Sequence, residues 1–478
     1  MTRAGVSIAN SDYLRRRVLT RTAKISQRES VWTVFLAVMH VPLGLLIFNV
    51  GSLAVLHPIL AVCAGLYLAL NRRYRLEQVG CAIAYIVGSE VLWRMAEVPV
   101  FWESGKYFSA AIALVALVNR GHFSIPGLPA AYFASLLPGC IITLSENQFS
   151  VAQAIFSTQM SGPFFLMVAC WFFSNCELDS TRLRHLFLSV LFPILSVAFT
   201  TIFITVSTEN IAFTGESNLA TSGGFGPNQV SSVLGLGTFL SLLSLLIFRN
   251  DLKNQIYYLA AAGLFAAQSV MTFSRGGIYN ALGAIFVVIL ILFRRPTVLA
   301  KRLVPLVGLL IVFLALIFPL LDNFTGGFLK ERFEDTGTTG RTDIVASDLQ
   351  LFTDHPLFGV GVGASYSMRE PILERKAMTH TEFSRLLSEH GMFGVISFFL
   401  LAYMILSRYR KQRTILGRAL VAGAAVWACL FMTNAAMRLA APSFFFGLTY
   451  STVFEYGLFR RRDRQQTIRR DKANRDLD

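Results

Sequence analysis

From Val31 to Phe459 the chain is a succession of apolar blocks, most of them near the length that crosses a bilayer as a helix. About 20 apolar residues span the hydrocarbon layer, and every backbone polar group inside that layer must be satisfied internally. Nothing else in the sequence limits the fold as strongly. The blocks are continuous rather than alternating, which excludes a membrane β-barrel. Only 15% of the residues are charged and 54% are hydrophobic, whereas soluble domains carry about 25% charged residues.

The blocks are Val31–Val50, Ala54–Leu70, Leu76–Met95, Tyr107–Val118, Pro126–Leu144, Gly162–Ser174 and Leu186–Val206, then Asn228–Phe248, Ile256–Phe273, Ile278–Phe293, Leu303–Leu320, Met392–Leu406, Ile415–Thr433 and Pro442–Phe459. The expected fold is therefore all-α and polytopic, with about fourteen transmembrane helices. The fourth block is short unless Lys106 snorkels at its edge, and Pro138 is a candidate kink in the fifth. Placing the basic tail 1–30 inside and alternating puts the clusters 71–75, 182–184, 294–302, 408–413 and 460–464 on the same side. That is the positive-inside pattern, with both termini cytoplasmic. It accounts for the net charge of +15 without invoking nucleic acid. The first block lacks a small-residue cleavage site and is expected to remain as a helix. The six Cys have neither metal-site nor disulfide spacing and read as packing residues.

Residues 321–390 break the pattern with 70 residues of helical patterns, glycine turns and concentrated Arg, Asp, Glu and His, all on the outer side. Loops of this length are functional or disordered. This one reads as a partly helical active-site loop. Within it Arg341 opens a helix whose apolar face is Ile344, Val345, Leu349 and Phe352. A cation at a helix start opposes the macrodipole, so it calls for an anionic ligand or a local partner such as Asp343. The run 355–363 is expected to dip toward the bilayer edge and return. Thr379 and Glu382 have the spacing of a capping box, which would place His380 in a first helical turn and favour its neutral form. The alternative is a satisfied interfacial histidine with Glu382 only a cap. Arg275 follows the ninth block and precedes Gly276 and Gly277; it suits either a phosphate grip or a membrane anchor. Arg438 lies on the same outer side with the same two readings. Asn228 and Gln229 end the glycine-rich 222–229 segment and offer amides at a helix start.

Three stretches, SRGG at 274–277, GRTDIVASDLQLFTDHPLFGVGVG at 340–363 and THTEFSRLLSEHGMFGVISFFLL at 379–401, resemble the O-antigen ligase and Wzy-type polymerase superfamily. SGGFGPNQ at 222–229 is similar to the segment preceding that family's domain. The resemblance covers 255–406, flanked by transmembrane regions 31–254 and 407–459 and by the tail 460–478. It implies a GT-C type membrane architecture and an inverting glycosyltransferase whose donor is a glycan on undecaprenyl diphosphate. The acceptor would be a lipid-linked glycan in a polymerase, or lipid A-core in a ligase. It implies no cofactor or metal. Partners would include polysaccharide export and chain-length control proteins. Carried onto this sequence, Arg275 and Arg341 would bind the donor diphosphate, and His380 would act as base or acceptor-orienting residue, with Glu382 beside it. The family's Asn after that histidine is Thr381 here. Arg438 and Asn228 join the substrate-binding set on position alone. The resemblance does not define the acceptor; the departure at Thr381 and the absence of a lipid A-core recognition motif turn the reading toward polymerisation of lipid-linked repeats, with ligation as the alternative and a membrane transporter as the alternative of another class.

Overall fold

The computed structural model describes residues 31–454 except 122, 249–251, 294–295, 336, 338–339 and 375–378. The tails 1–30 and 460–478, with their expected cytoplasmic placement, lie outside the described residues. The chain is almost wholly helical. Its one sheet among the described residues is a two-residue parallel pair, Glu177–Leu178 with Thr452–Val453.

Eight described helices are long and apolar enough to cross a membrane, or nine if a bent pair counts as one span. The remainder of the expected fourteen are helical but shorter or more polar. Leu76–Met95 contains Glu77, Glu90 and Arg94, and Gly276–Leu292 has 17 residues. The expected last span is represented by Ala440–Leu448, a nine-residue helix of about 14 Å, well under the hydrocarbon thickness. Between the fifth and sixth blocks, Phe149–Gln159 is a helix, bent 49° from Ser161–Ser174. The break in the fifth block falls at Leu136, just ahead of Pro138, which sits in the first turn of the helix that follows.

One helix centres the packing. Pro227–Ile247 is apolar on every side and buried along nearly its whole length, as such helices must be inside a bundle. It crosses Gly276–Leu292 backbone to backbone: a Cβ on Gly277 would stand 1.9 Å from the Ser231 carbonyl oxygen, and one on Gly235 2.1 Å from that of Gly277. Small residues let membrane helices approach this closely. Ser231 donates to the Ser274 carbonyl at 2.7 Å, so the crossing fixes the turn that carries Arg275.

A buried polar network links the two ends of the chain. Arg94 donates to Glu90 at 2.7 Å, to Gln229 at 2.9 Å and to the carbonyl of Arg438 at 3.0 Å, while Glu90 accepts from the Ala440 amide at 2.7 Å. Lys106 does not snorkel; it is buried and paired with Glu103 at 2.5 Å. Expelling that ammonium from water is costly, and the partner three residues back offsets it.

The loop 321–390 is partly helical, as expected. It contains Phe328–Glu334, Arg341–Asp354, two single turns and Glu382–His390. Its glycine run is tucked inside. Gly359, Gly361 and Gly363 all take positive φ, the Val360 and Gly361 amides donate to Ser388 and Glu389, and Val362 is fully buried against Gly139 and Thr143.

Candidate functional site

Arg275 sits at the start of Gly276–Leu292, after a turn in which Phe273 takes a φ of 57°. A left-handed phenylalanine needs support, and it is fully buried. Arg332 supplies that support by donating Nε to the Phe273 carbonyl at 3.0 Å, with a second bond to Gly215. Arg275 itself donates to the carbonyls of Asp335 and Gly337.

Arg341 begins the helix Arg341–Asp354, but its partner is Asn434 rather than Asp343, at 3.2 Å. Asn434 donates in turn to Asn280 at 2.8 Å, on the helix that Arg275 opens, and packs against Gly276. A pair of asparagines thus ties the two arginines to one corner. The buried face of the Arg341 helix is Ile344, Ser347, Asp348 and Leu351, and the expected Leu349 is exposed. Asp348 accepts from Ser384 at 2.6 Å and lies 3.4 Å from Arg369, so a buried polar contact, rather than apolar packing alone, holds this helix.

The capping box is not formed. Thr381 is the residue before helix Glu382–His390 and makes no side-chain cap, and Thr379 instead accepts from Arg369. His380 therefore precedes the helix and is held through its backbone, its carbonyl accepting from Ala436 at 3.0 Å. The expectation of a neutral imidazole stands for a different reason. Burial, then the nearby charges of Arg438, Arg341 and Arg369, lower the His380 pKa to about 4. Its Nδ1 has no partner among the described residues. Glu382 is buried and holds Arg385 with both oxygens, at 3.1 and 2.5 Å, while Arg385 reaches Glu389 at 2.8 Å.

Arg438 donates to the Thr379 carbonyl at 2.9 Å, beside His380. Asn228 lies at the start of Pro227–Ile247, where it accepts from Ser274 at 2.8 Å, next to Arg275. All six candidates therefore fall in one region, with Glu382 one layer behind His380. Burial and the charges of Arg275, Arg332 and Arg438 lower the Arg341 pKa. Burial and then Arg275 lower that of Arg332. Arg332 also lies 3.6 Å from the Asp335 carboxylate, whereas Arg275, Arg341 and Arg438 rest on neutral carbonyl and amide partners, an arrangement suited to an anion. Arg332, Asn280 and Asn434 escaped the sequence reading. Lone asparagines in apolar blocks were the available signal, since buried polar residues in spans mark function.

No curated protein matches the chain. Residues 259–399, which contain Arg275, Arg341, His380 and Glu382, match the family described as O-Antigen ligase. The protein is a largely helical, polytopic membrane-type chain that carries an O-antigen ligase (Wzy_C) domain in its C-terminal half.

Proposed function

We propose that the protein is a membrane glycosyltransferase that moves a glycan from a lipid diphosphate to a separate acceptor such as lipid A-core. The matched domain is described as a ligase, which supports transfer to a distinct acceptor better than the chain lengthening expected from the sequence. The observation that carries the reading is the convergence of Arg275, Arg341 and Arg438 on neutral partners beside a neutral His380. In this reading some of the shorter helices add crossings to the eight or nine long ones in a GT-C type fold. The loop 321–390 and the site face the outer side, and both termini are cytoplasmic.

The acceptor hydroxyl attacks the anomeric carbon on the face opposite the diphosphate. A carbon–oxygen bond to the acceptor forms as that to the phosphate breaks, inverting the centre. The hydroxyl proton passes to His380, whose depressed pKa keeps a ring nitrogen free to accept it at neutral pH. The electron pair leaves on the diphosphate, where Arg275 and Arg341 meet the growing charge. Glu382 acts as a positioning residue: it fixes Arg385 in the helix that follows His380. Asn228 holds Ser274 and so the Arg275 turn.

The test is reconstitution with labelled undecaprenyl-diphosphate glycan and separate lipid A-core. His380→Ala should slow single-turnover transfer by about 10²–10⁴ while donor binding persists. Arg341→Lys keeps charge but loses the planar fork, and should lower kcat/KM by about 10² or more. Normal transfer by both variants would sink the assignment. Lengthened lipid-linked glycan, with none on lipid A-core, would restore the polymerase reading.

A further inference from the structure

Beside the His380 edge of the arginine cluster lies a cavity of about 310 Å³, within the range of small-ligand pockets. Its wall includes Trp102, Lys106, Gln159, Tyr366, Arg369 and Arg438. Thr379 and Arg438 are shared with the cluster, whereas Arg275 and Arg341 are not part of the wall. The cavity therefore lies next to His380, lined by its chain neighbour Thr379 and by Ala436, whose amide bonds the His380 carbonyl, with His380 itself outside the wall.

The chemistry of this wall differs from that of the cluster. Its four cations are balanced by four carboxylates: Lys106 with Glu103 at 2.5 Å, Arg385 with Glu382 and Glu389 at 2.5 and 2.8 Å, and Arg369 3.4 Å from Asp348, while Arg438 bonds the Thr379 carbonyl. A diphosphate gains little where the charges already balance. Hydrogen-bonding capacity remains. Arg369 is fully buried on Ser365 and Thr379, but Gln159 is exposed on the wall and offers an amide donor and acceptor.

Two aromatic side chains complete the wall. Trp102 is 55% exposed and Tyr366 38%. Trp102 is nevertheless held in place, because the Arg94 guanidinium lies 4.6 Å from its ring centre and Phe225 packs at 6.0 Å. A rigid, exposed indole next to balanced charges and the Gln159 amide matches a ligand with an apolar face, a rim of hydroxyls and no net charge. A pyranose ring has those three properties.

We propose that this cavity is the acceptor's saccharide subsite, in which an uncharged sugar ring stacks on Trp102 with Tyr366 at its rim. Gln159 bonds its hydroxyls, and the reacting hydroxyl points past Thr379 toward His380. The proposal rests on the transferase reading and adds to it the place and chemical class of the acceptor contact. Donor diphosphate and acceptor sugar then occupy separate places, leaving the acceptor hydroxyl free to meet the anomeric carbon on the face opposite the diphosphate.

The test uses the full chain in lipid nanodiscs and two measurements. Binding of labelled, dephosphorylated core oligosaccharide is followed by equilibrium dialysis, and transfer is followed as a function of lipid A-core concentration. Trp102→Ala should weaken oligosaccharide binding and raise the acceptor KM at least tenfold, with binding of the undecaprenyl-diphosphate donor unchanged. Trp102→Phe should recover most of the loss, and Tyr366→Ala should give a smaller effect of the same kind. Donor binding reports the folded fraction of each variant. Oligosaccharide binding that Trp102→Ala leaves intact overturns the subsite, as does failure of the wild type to bind the oligosaccharide. Trp102-dependent binding without any transfer supports the subsite and overturns the transferase reading. Transfer with an acceptor KM indifferent to Trp102 does the reverse.

Discussion

Removing Arg385 should damage the protein far more than removing its whole charged group. Arg385 is 5% exposed, between Glu382 at 1% and Glu389 at 2%. Burial alone would lower its pKa, but the two carboxylates outweigh that and raise it. Three charge-assisted hydrogen bonds join the three side chains. At about 1.5–3 kcal/mol each, the gross interaction is roughly 5–9 kcal/mol. Arg385→Met forfeits it and leaves two carboxylates in an interior that disfavours their charge. Part of the loss is recovered when a carboxylate takes up a proton; burial already pushes Glu389 upward. The expected net cost is about 3–5 kcal/mol, or at least about 10² in the folding constant. The triple variant Glu382→Leu, Arg385→Met, Glu389→Leu leaves no buried charge. It loses the bonds of the Ser365 hydroxyl and the Gly363 amide to Glu389, worth about 1 kcal/mol each. It should therefore be more stable than the single variant. The assay is equilibrium unfolding in mixed micelles with increasing dodecyl sulfate, read by tryptophan fluorescence. A single variant within about 1 kcal/mol of wild type, or a triple variant less stable than the single, would refute the reasoning.

Two further outcomes follow from the same structure. Gly277→Ala drives a methyl into the Ser231 carbonyl and should cost about 1–3 kcal/mol and weaken donor binding, whereas Gly308→Ala, with open space around it, should do neither; size-exclusion profiles and donor titrations check both. His390 is fully buried and its pKa is lowered to about 3 by burial and then by Arg385, from an ordinary value of 6.5. Below pH 6.5 the unfolded chain binds a proton that the native His390 refuses, so stability falls as pH falls, by about 1.4 kcal/mol per unit from this group. Burial raises the Asp348 and Glu389 pKa values, which acts in the opposite sense. The measurement is therefore the difference between wild type and His390→Gln: from pH 6.5 to 5 the wild type should lose about 2 kcal/mol relative to the variant.

The arginines of the site were legible because cations are scarce on the side that the sequence reading takes as outer, and Arg275, Arg341 and Arg438 stood out against that background. Their mutual arrangement was not legible. It runs through Asn280 and Asn434, which are 154 positions apart, and a single polar letter in an apolar block does not name its partner. The Thr379–Glu382 spacing fitted a capping box, but a buried Arg385 three residues on binds Glu382 more strongly than a backbone amide does. Lys106 was read against the lipid although Glu103 stood at helix spacing before it. The span count fared less well than the helical class. Hydropathy does not distinguish a helix that faces lipid from one buried among its neighbours, such as Pro227–Ile247, or reveal that an apolar stretch stops after nine residues.

The network around Arg94 also dictates an order of assembly. Two of its links join residues about 350 positions apart: Arg94 to the Arg438 carbonyl, and Glu90 to the Ala440 amide. At ribosomal speeds of about 5–20 residues per second, the later partner emerges roughly 20–70 s after the earlier one. During that wait four ionised side chains are already in or beside early helices. They tolerate it because each has a counter-ion within one helical turn, Glu90 with Arg94 and Glu103 with Lys106. The early segments then carry neutral pairs rather than naked charges. The helix Ala440–Leu448 locks pairs that formed long before it existed. A chain that stalls ahead of residue 438 would keep the early pairs and lack only their closing contacts.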